Sequence, residues 1–217
     1  MTEWTDKLPP LPQLGDDMPP PRRREEVLGF LAERRSSTAA QLGEPGPSPE
    51  EVDALLRLAS RVPDHRRVHP FRFVVFEGDA RARFGTVLRQ AFEKAEPGAS
   101  EEAAALEAER FTRAPVVVAV VASPDPAHKT PLWEQQMTAA AAAQNLLLAA
   151  GAAGYGAQWL TEWYAYDAHV ADGTGLKADE KFVGFVYIGT ATEAPKERAR
   201  MEPAALTSRW SRPRFQD

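Results

Sequence analysis

Amphipathic stretches alternate along the chain with short apolar runs. Val27, Leu28, Phe30 and Leu31 recur at helical spacing, so residues 23–34 are predicted to form a first helix. A loop is expected over 36–47. Ser48-Pro49-Glu50-Glu51 then supplies an N-cap, a proline at the first helical position and a glutamate that closes a capping box. The helix it opens would bury Val52, Leu55, Leu56 and Ala59 and end near Arg61, because Pro63 disfavours helical geometry at Val62. A strand is predicted at 71–77 (FRFVVFE), then helices at 79–94 and 100–112. The run 115–122 (PVVVAVVA) is apolar at every position, as a central strand covered on both faces would be. Thr130-Pro131 is expected to cap a long alanine-rich helix stopping at Gly151 or Gly154, and strands follow at 156–160 and 182–189. The pattern predicts a single α+β domain over 22–217, with about four strands and helices on both faces.

Residues 1–21 differ in texture. Pro9, Pro10, Pro12, Pro19, Pro20 and Pro21 forbid a helix and favour an extended arm, either poorly ordered or wrapping a partner subunit through Trp4 and Leu11.

Composition then narrows the function classes. With 43% hydrophobic and 26% charged residues, the 217-residue chain has the make-up of an ordinary globular protein. A formal charge of −5 gives no electrostatic footing for a nucleic-acid surface. The absence of cysteine excludes disulfides, a thiolate metal site and a thiol nucleophile, and fits a reducing cytoplasm. The most apolar stretch, 137–153, is too short to span a bilayer, so a soluble protein is expected.

Gly151, Gly154 and Gly156 follow a helix and precede a strand, the reverse of the order a phosphate-cradling loop needs, so they read as a helix cap and connector. His65 and His69 stand four apart, but Pro63 and Pro70 bracket them and argue against a metal-binding helix. No Gly-x-Ser-x-Gly elbow is present. What remains is a set of basic clusters: Arg34-Arg35-Ser36, then Arg61 with His65-Arg66-Arg67, then Lys196 and Arg198. Planar guanidinium forks suit phosphate, but cations at helix C-termini explain Arg34 and Arg61 equally well. On the residues alone both readings stand.

The ordered set of these segments resembles the FMN-dependent nitroreductase family, most closely its small YdjA-type branch. The likeness is carried by Arg34-Arg35-Ser36, by Arg61-Val-Pro-Asp-His65 with His69-Pro-Phe-Arg-Phe73, and by His128-Lys-Thr-Pro-Leu-Trp-Glu134. Gly154-Tyr-Gly-Ala-Gln-Trp159 and Lys181-Phe-Val-Gly-Phe-Val-Tyr-Ile-Gly-Thr190 complete it. The resemblance implies a nitroreductase-like fold with a mostly antiparallel sheet, and a homodimer whose C-terminal segments reach the partner and whose interface holds FMN. By matching position, Arg34, Arg35 and Ser36 would hold the phosphate and ribityl chain, and Lys196 and Arg198 would form a second phosphate-binding segment. Arg61 and His65 would reach the flavin of the opposite subunit, while Trp159, Leu160 and Thr161 would line the isoalloxazine.

The implied activity is a ping-pong reduction, with NAD(P)H giving hydride to flavin N5 and a flat acceptor, a nitroaromatic or quinone, taking it up. No catalytic side chain is then required. Alternatives on the same resemblance are an oxygen-using or dehydrogenase flavoprotein, or a non-catalytic flavin-binding protein. Two departures from the family pattern concern redox tuning. Thr38 stands where many relatives have lysine, and Arg67, His69 and Phe71 replace an Asn, a Gln and a Trp common outside this branch.

Overall fold

The computed structural model describes residues 4–211. The first three residues of the proline-rich arm, and the last six of the segment expected to reach a partner, lie outside the described residues. The elements in chain order are α1 (Glu25–Glu33), β1 (Leu42–Gly43), α2 (Pro49–Ala59), β2 (Phe71–Glu77), α3 (Asp79–Ala95), α4 (Glu101–Ala108), β3 (Val116–Ala122), α5 (Leu132–Ala152), β4 (Gly156–Leu160), α6 (Ala168–Gly173), β5 (Lys181–Ala191) and α7 (Pro203–Leu206).

All strand pairings among the described residues are antiparallel. β3 lies between β2 and β5, and β5 also pairs with β4 and, beyond it, with β1. The sheet therefore has five strands rather than about four. The additional one is the two-residue β1, within the stretch expected as loop, which pairs Leu42 with Ala191 and Gly43 with Thr190. A pairing so short leaves no alternation to read.

Side chains alternate across β3 because strand periodicity is two. Val117, Ala119 and Val121 enter a cluster with Phe76, Phe84, Leu88, Phe111 and Tyr187, under α3. Val116, Val118 and Val120 enter the opposite cluster with Val52, Leu55, Leu146, Ala150 and Ile188, under α2 and α5. Every β3 residue is buried, as its sequence requires. At roughly 1.5–3 kcal/mol per buried valine, this strand is a main source of cohesion.

The capping box forms as predicted: Ser48 accepts the Glu51 N–H and the Glu51 side chain accepts the Ser48 N–H at 2.8 Å. The cap expected at Thr130 does not. Thr130 donates instead to the main-chain oxygen of His65 at 3.2 Å, and Pro131 begins α5 without a side-chain cap. The helix expected over 100–112 is α4 up to Ala108, followed by a 3-10 turn over Arg110–Arg113. No helix among the described residues is long and apolar enough to cross a membrane.

Candidate functional site

α1 stops at Glu33 because Arg34 turns to extended geometry (φ −55°, ψ 128°). The segment that follows runs beside residues 195–197, which are 161 positions away at the shared bond. Arg35 Nε donates to the Lys196 oxygen at 2.9 Å and lies 3.5 Å from the Glu197 carboxylate. Arg35 is thus spent on the tail, while the Arg34 guanidinium makes no hydrogen bond or ion pair to a described residue. Both line a cleft of about 300 Å³ together with Phe30, Ser37, Tyr155, Gly156 and Pro195.

The floor of this cleft comes from the end of α5. Gly154 takes a left-handed conformation (φ 90°), Tyr155 N–H donates back to the Ala150 oxygen at 2.9 Å, and Gly154 N–H to that of Gly151 at 3.1 Å. This is a Schellman ending, and it drops the chain directly into β4. At Gly156 an added Cβ would stand 2.7 Å from Leu42 Cδ2 and 3.1 Å from the Ser37 hydroxyl oxygen, so the floor admits only glycine without rearrangement.

Tyr155 is fixed from behind. Its hydroxyl donates to Glu51 Oε2 at 2.8 Å, and Glu51 Oε1 receives the Trp4 indole N–H at 2.5 Å. Burial alone would raise the Glu51 pKa, but the bonds from Ser48, Tyr155 and Trp4 outweigh it and hold the carboxyl below its ordinary value. Burial, with the carboxylate as acceptor, pushes the Tyr155 hydroxyl up to about 12.

A second cluster occupies the loop between α2 and β2. Arg66, Arg67 and His69 all have positive φ (66°, 54° and 54°), a conformation costing of order 1–3 kcal/mol each outside glycine. Asp64 holds the turn, its carboxylate accepting the Val68 and His69 N–H groups at 3.0 and 2.8 Å. α5 holds the rest. Asn145 donates to the Arg61 oxygen at 2.9 Å, Thr138 to that of Pro63 at 3.2 Å, and Glu134 meets His65 Nδ1 at 2.6 Å. These bonds hold the backbone of the strained segment, on which His65, Arg66, Arg67 and His69 are exposed.

The structure brings some predicted residues together and separates others. Arg34 and Arg35 meet the 195–197 segment, but Ser37 rather than Ser36 lines the cleft. Lys196 contributes its main-chain oxygen, while Arg198 is exposed and its N–H bonds the neighbouring Glu197. Trp159 and Leu160 point to opposite faces of the sheet, each packing against a different core cluster, and Thr161 is exposed. The Trp159 indole covers the β5 bulge and donates to the Val183 oxygen at 3.1 Å. Arg61 and His65 do not line the cleft. Glu134, the partner of His65, precedes the cleft residue Gly151 by 17 positions of α5, about 25 Å of helix.

Sequence reasoning missed Ser37, Tyr155, Glu134 and Gln158. Gln158 Oε1 accepts the Ala39 N–H at 2.5 Å and so holds the segment after Arg34-Arg35 against β4. Tyr155 stood inside the glycine-rich connector, whose reading as a helix cap was correct but incomplete. Glu134 and Gln158 stand in segments that carry the family likeness, but their roles, like that of Ser37, depend on contacts with segments far away in sequence.

The family model described as "Nitroreductase family" matches residues 31–190. YdjA of Escherichia coli (strain K12) is 37% identical over 165 residues, covering 76% of this chain and 88% of YdjA. A Haemophilus influenzae relative is 31% identical over 178 residues, 81% of this chain and 94% of that protein. Among solved structures, a nitroreductase-like family protein from Bacillus cereus superimposes with a TM-score of 0.74 at 22% identity, covering 88% of this chain and 98% of that one. A Desulfovibrio desulfuricans structure, solved in complex with FMN, gives 0.66 at 23% identity over 88% and 100% of the two chains. Arg34, Arg35, Tyr155 and the His65 loop fall within the matched span, while the Pro195 wall of the cleft lies just beyond it, and the chain belongs to the nitroreductase family.

Proposed function

We propose that this protein is an FMN-dependent oxidoreductase that passes hydride from NAD(P)H to a small flat acceptor, a nitroaromatic or quinone. The observation that carries the reading is the convergence of Arg34, Arg35 and the 195–197 segment on a cleft floored by Gly156. The Arg34 guanidinium spends no donor on a described residue, as a phosphate site needs. Phe30, Leu147 and Tyr155 offer apolar surface beside it for a ring system. The donor set fits FMN. The relatives' names point the same way: YdjA and the Haemophilus protein both carry the name "Putative NAD(P)H nitroreductase".

Bound FMN supplies the hydride transfer. The chain's own residues bind and orient: Arg34 neutralises the phosphate, the Arg35–Lys196 bond fixes the wall beside it, and the β4 connector forms the floor. With FMN held there, a single cleft would receive the two substrates in turn, so a ping-pong cycle is expected.

We infer further that the working unit is a homodimer, with residues 22–217 as its single nitroreductase-like domain. A cleft of about 300 Å³ is at the low end for a ligand of this size, so one chain supplies only part of the enclosure. The His65 loop, built for presentation but remote from its own chain's cleft, is free to serve the partner's. α1 buries none of its residues and exposes Val27, Leu28 and Leu31, and α5 exposes Trp133 and Met137. Such apolar surface suits an isologous contact.

The test is the absorbance spectrum of protein supplied with FMN and freed of excess, before and after anaerobic NADPH and then NADH. Bleaching of a retained flavin band is expected. A retained band that neither nucleotide bleaches would remove the reductase assignment, and failure to retain flavin would remove the cofactor as well.

A further inference from the structure

The family match begins at residue 31, so the amino-terminal arm lies outside it. Yet the arm reaches the site. Trp4 packs against the core cluster under α2 and α5, the same cluster that Tyr155 packs against. Its indole N–H takes one oxygen of Glu51, a carboxylate only 7% exposed. The other oxygen takes the Ser48 N–H and the Tyr155 hydroxyl. Capping α2 requires only the Ser48 bond, so the remaining two go beyond what the helix needs. They join the arm to a cleft-lining side chain through a single carboxylate.

We propose that Trp4 is a positioning residue for the FMN cleft, acting through Glu51 to hold the Tyr155 ring in the cleft wall. Without the indole N–H, one buried carboxylate oxygen has no donor. The carboxylate then turns toward water or another donor, and the hydroxyl bonded to its second oxygen loses its fixed acceptor. Tyr155 lies between Gly154 and Gly156, where the backbone has no side chain of its own to brace the wall. A ring free to move there raises the ordering cost of binding. The arm is thereby part of the site's construction.

The proposal rests on the FMN reading, and the experiment separates the two. FMN affinity of the full-length chain is measured by quenching of flavin fluorescence for the wild type, Trp4→Phe, Tyr155→Phe and the double variant. Thermal midpoints of the flavin-free proteins are recorded in parallel. Phenylalanine at 4 keeps a ring to pack and removes only the donor. The expected result is an FMN Kd raised about fivefold or more in each single variant, with the double no weaker than Tyr155→Phe alone, as for residues acting in series. Trp4→Phe with wild-type Kd overturns the proposal, and a lowered midpoint beside that unchanged Kd marks the contact as structural only. Additive losses in the double variant also overturn it. A wild type that binds no FMN overturns both this inference and the functional reading.

Discussion

Arg35 Nε donates to the main-chain oxygen of Lys196 at 2.9 Å, which fastens the segment after α1 to the tail that follows β5. Arg34 and Arg35 are adjacent but do different work, one lining the cleft with no bond to a described residue and the other clamping its wall. Arg34→Ala is expected to weaken FMN binding by roughly 1.5–3 kcal/mol, the worth of a charge-assisted hydrogen bond, or about ten- to a hundredfold in Kd. Arg35→Ala is expected to weaken it too, while also making the 195–198 segment more sensitive to protease. Flavin titration and limited proteolysis separate the two effects. Equal protease sensitivity in both variants would contradict this division of labour.

A composite dimer site makes a sharper prediction. Arg34→Ala and Arg61→Ala chains, each poor in activity alone, are mixed under conditions that exchange subunits. One site of each mixed dimer then draws intact residues from both chains, so random mixing restores about a quarter of wild-type activity. No recovery, in a mixture shown to contain mixed dimers, would mean that Arg61 serves its own chain.

Gly184 sits at the β3–β5 bulge, with φ 151°, where Val120 pairs with Gly184 but Val121 pairs with Phe182. A Cβ there would stand 2.1 Å from Trp159 Nε1 and 2.8 Å from the Leu160 oxygen. Gly184→Ala is expected to cost about 1–3 kcal/mol, lowering the thermal midpoint by several degrees. An unchanged midpoint would show that the indole has room to move.

Glu180 is buried against Arg72, which reaches both of its oxygens at 2.8 and 2.7 Å. This pairing, aided by the Lys177 N–H, brings the Glu180 pKa down from the ordinary 4.5 to about 2. Because the folded value is the lower one, the stabilisation is fully present above pH 4.5 and is lost as pH falls toward 2. Denaturant melts across this range are expected to show that loss in the wild type and a shallower acid dependence in Glu180→Gln. Parallel profiles would assign the acid sensitivity to other groups.

Much of the fold was legible because β3 and the Ser48 cap state their roles locally. Seven consecutive apolar residues admit few places except the middle of a covered sheet, and Ser-Pro-Glu-Glu admits few except a helix start. The site was legible in its cations and not in their geometry. Nothing near Arg35 announces Lys196, and nothing near Trp4 announces Glu51. Thr130 illustrates the limit from the other side: its position before Pro131 suggests a cap, but the His65 carbonyl, 65 positions away, offers its hydroxyl a competing acceptor. The left-handed residues 66, 67 and 69 were also invisible, since arginine and histidine carry no preference for that geometry strong enough to read.

α5 acts as a ruler. Its buried alanines let it pack closely against the sheet, and its 21-residue length sets the spacing between its two ends. Each residue of an α-helix turns the axis by about 100° and advances it by about 1.5 Å. One insertion between Glu134 and Gly151 would swing the grip on the His65 loop away from its target while the cleft floor stayed in place. Descendants of this sequence are therefore constrained in the number of residues in the helix, whatever happens to its exposed positions.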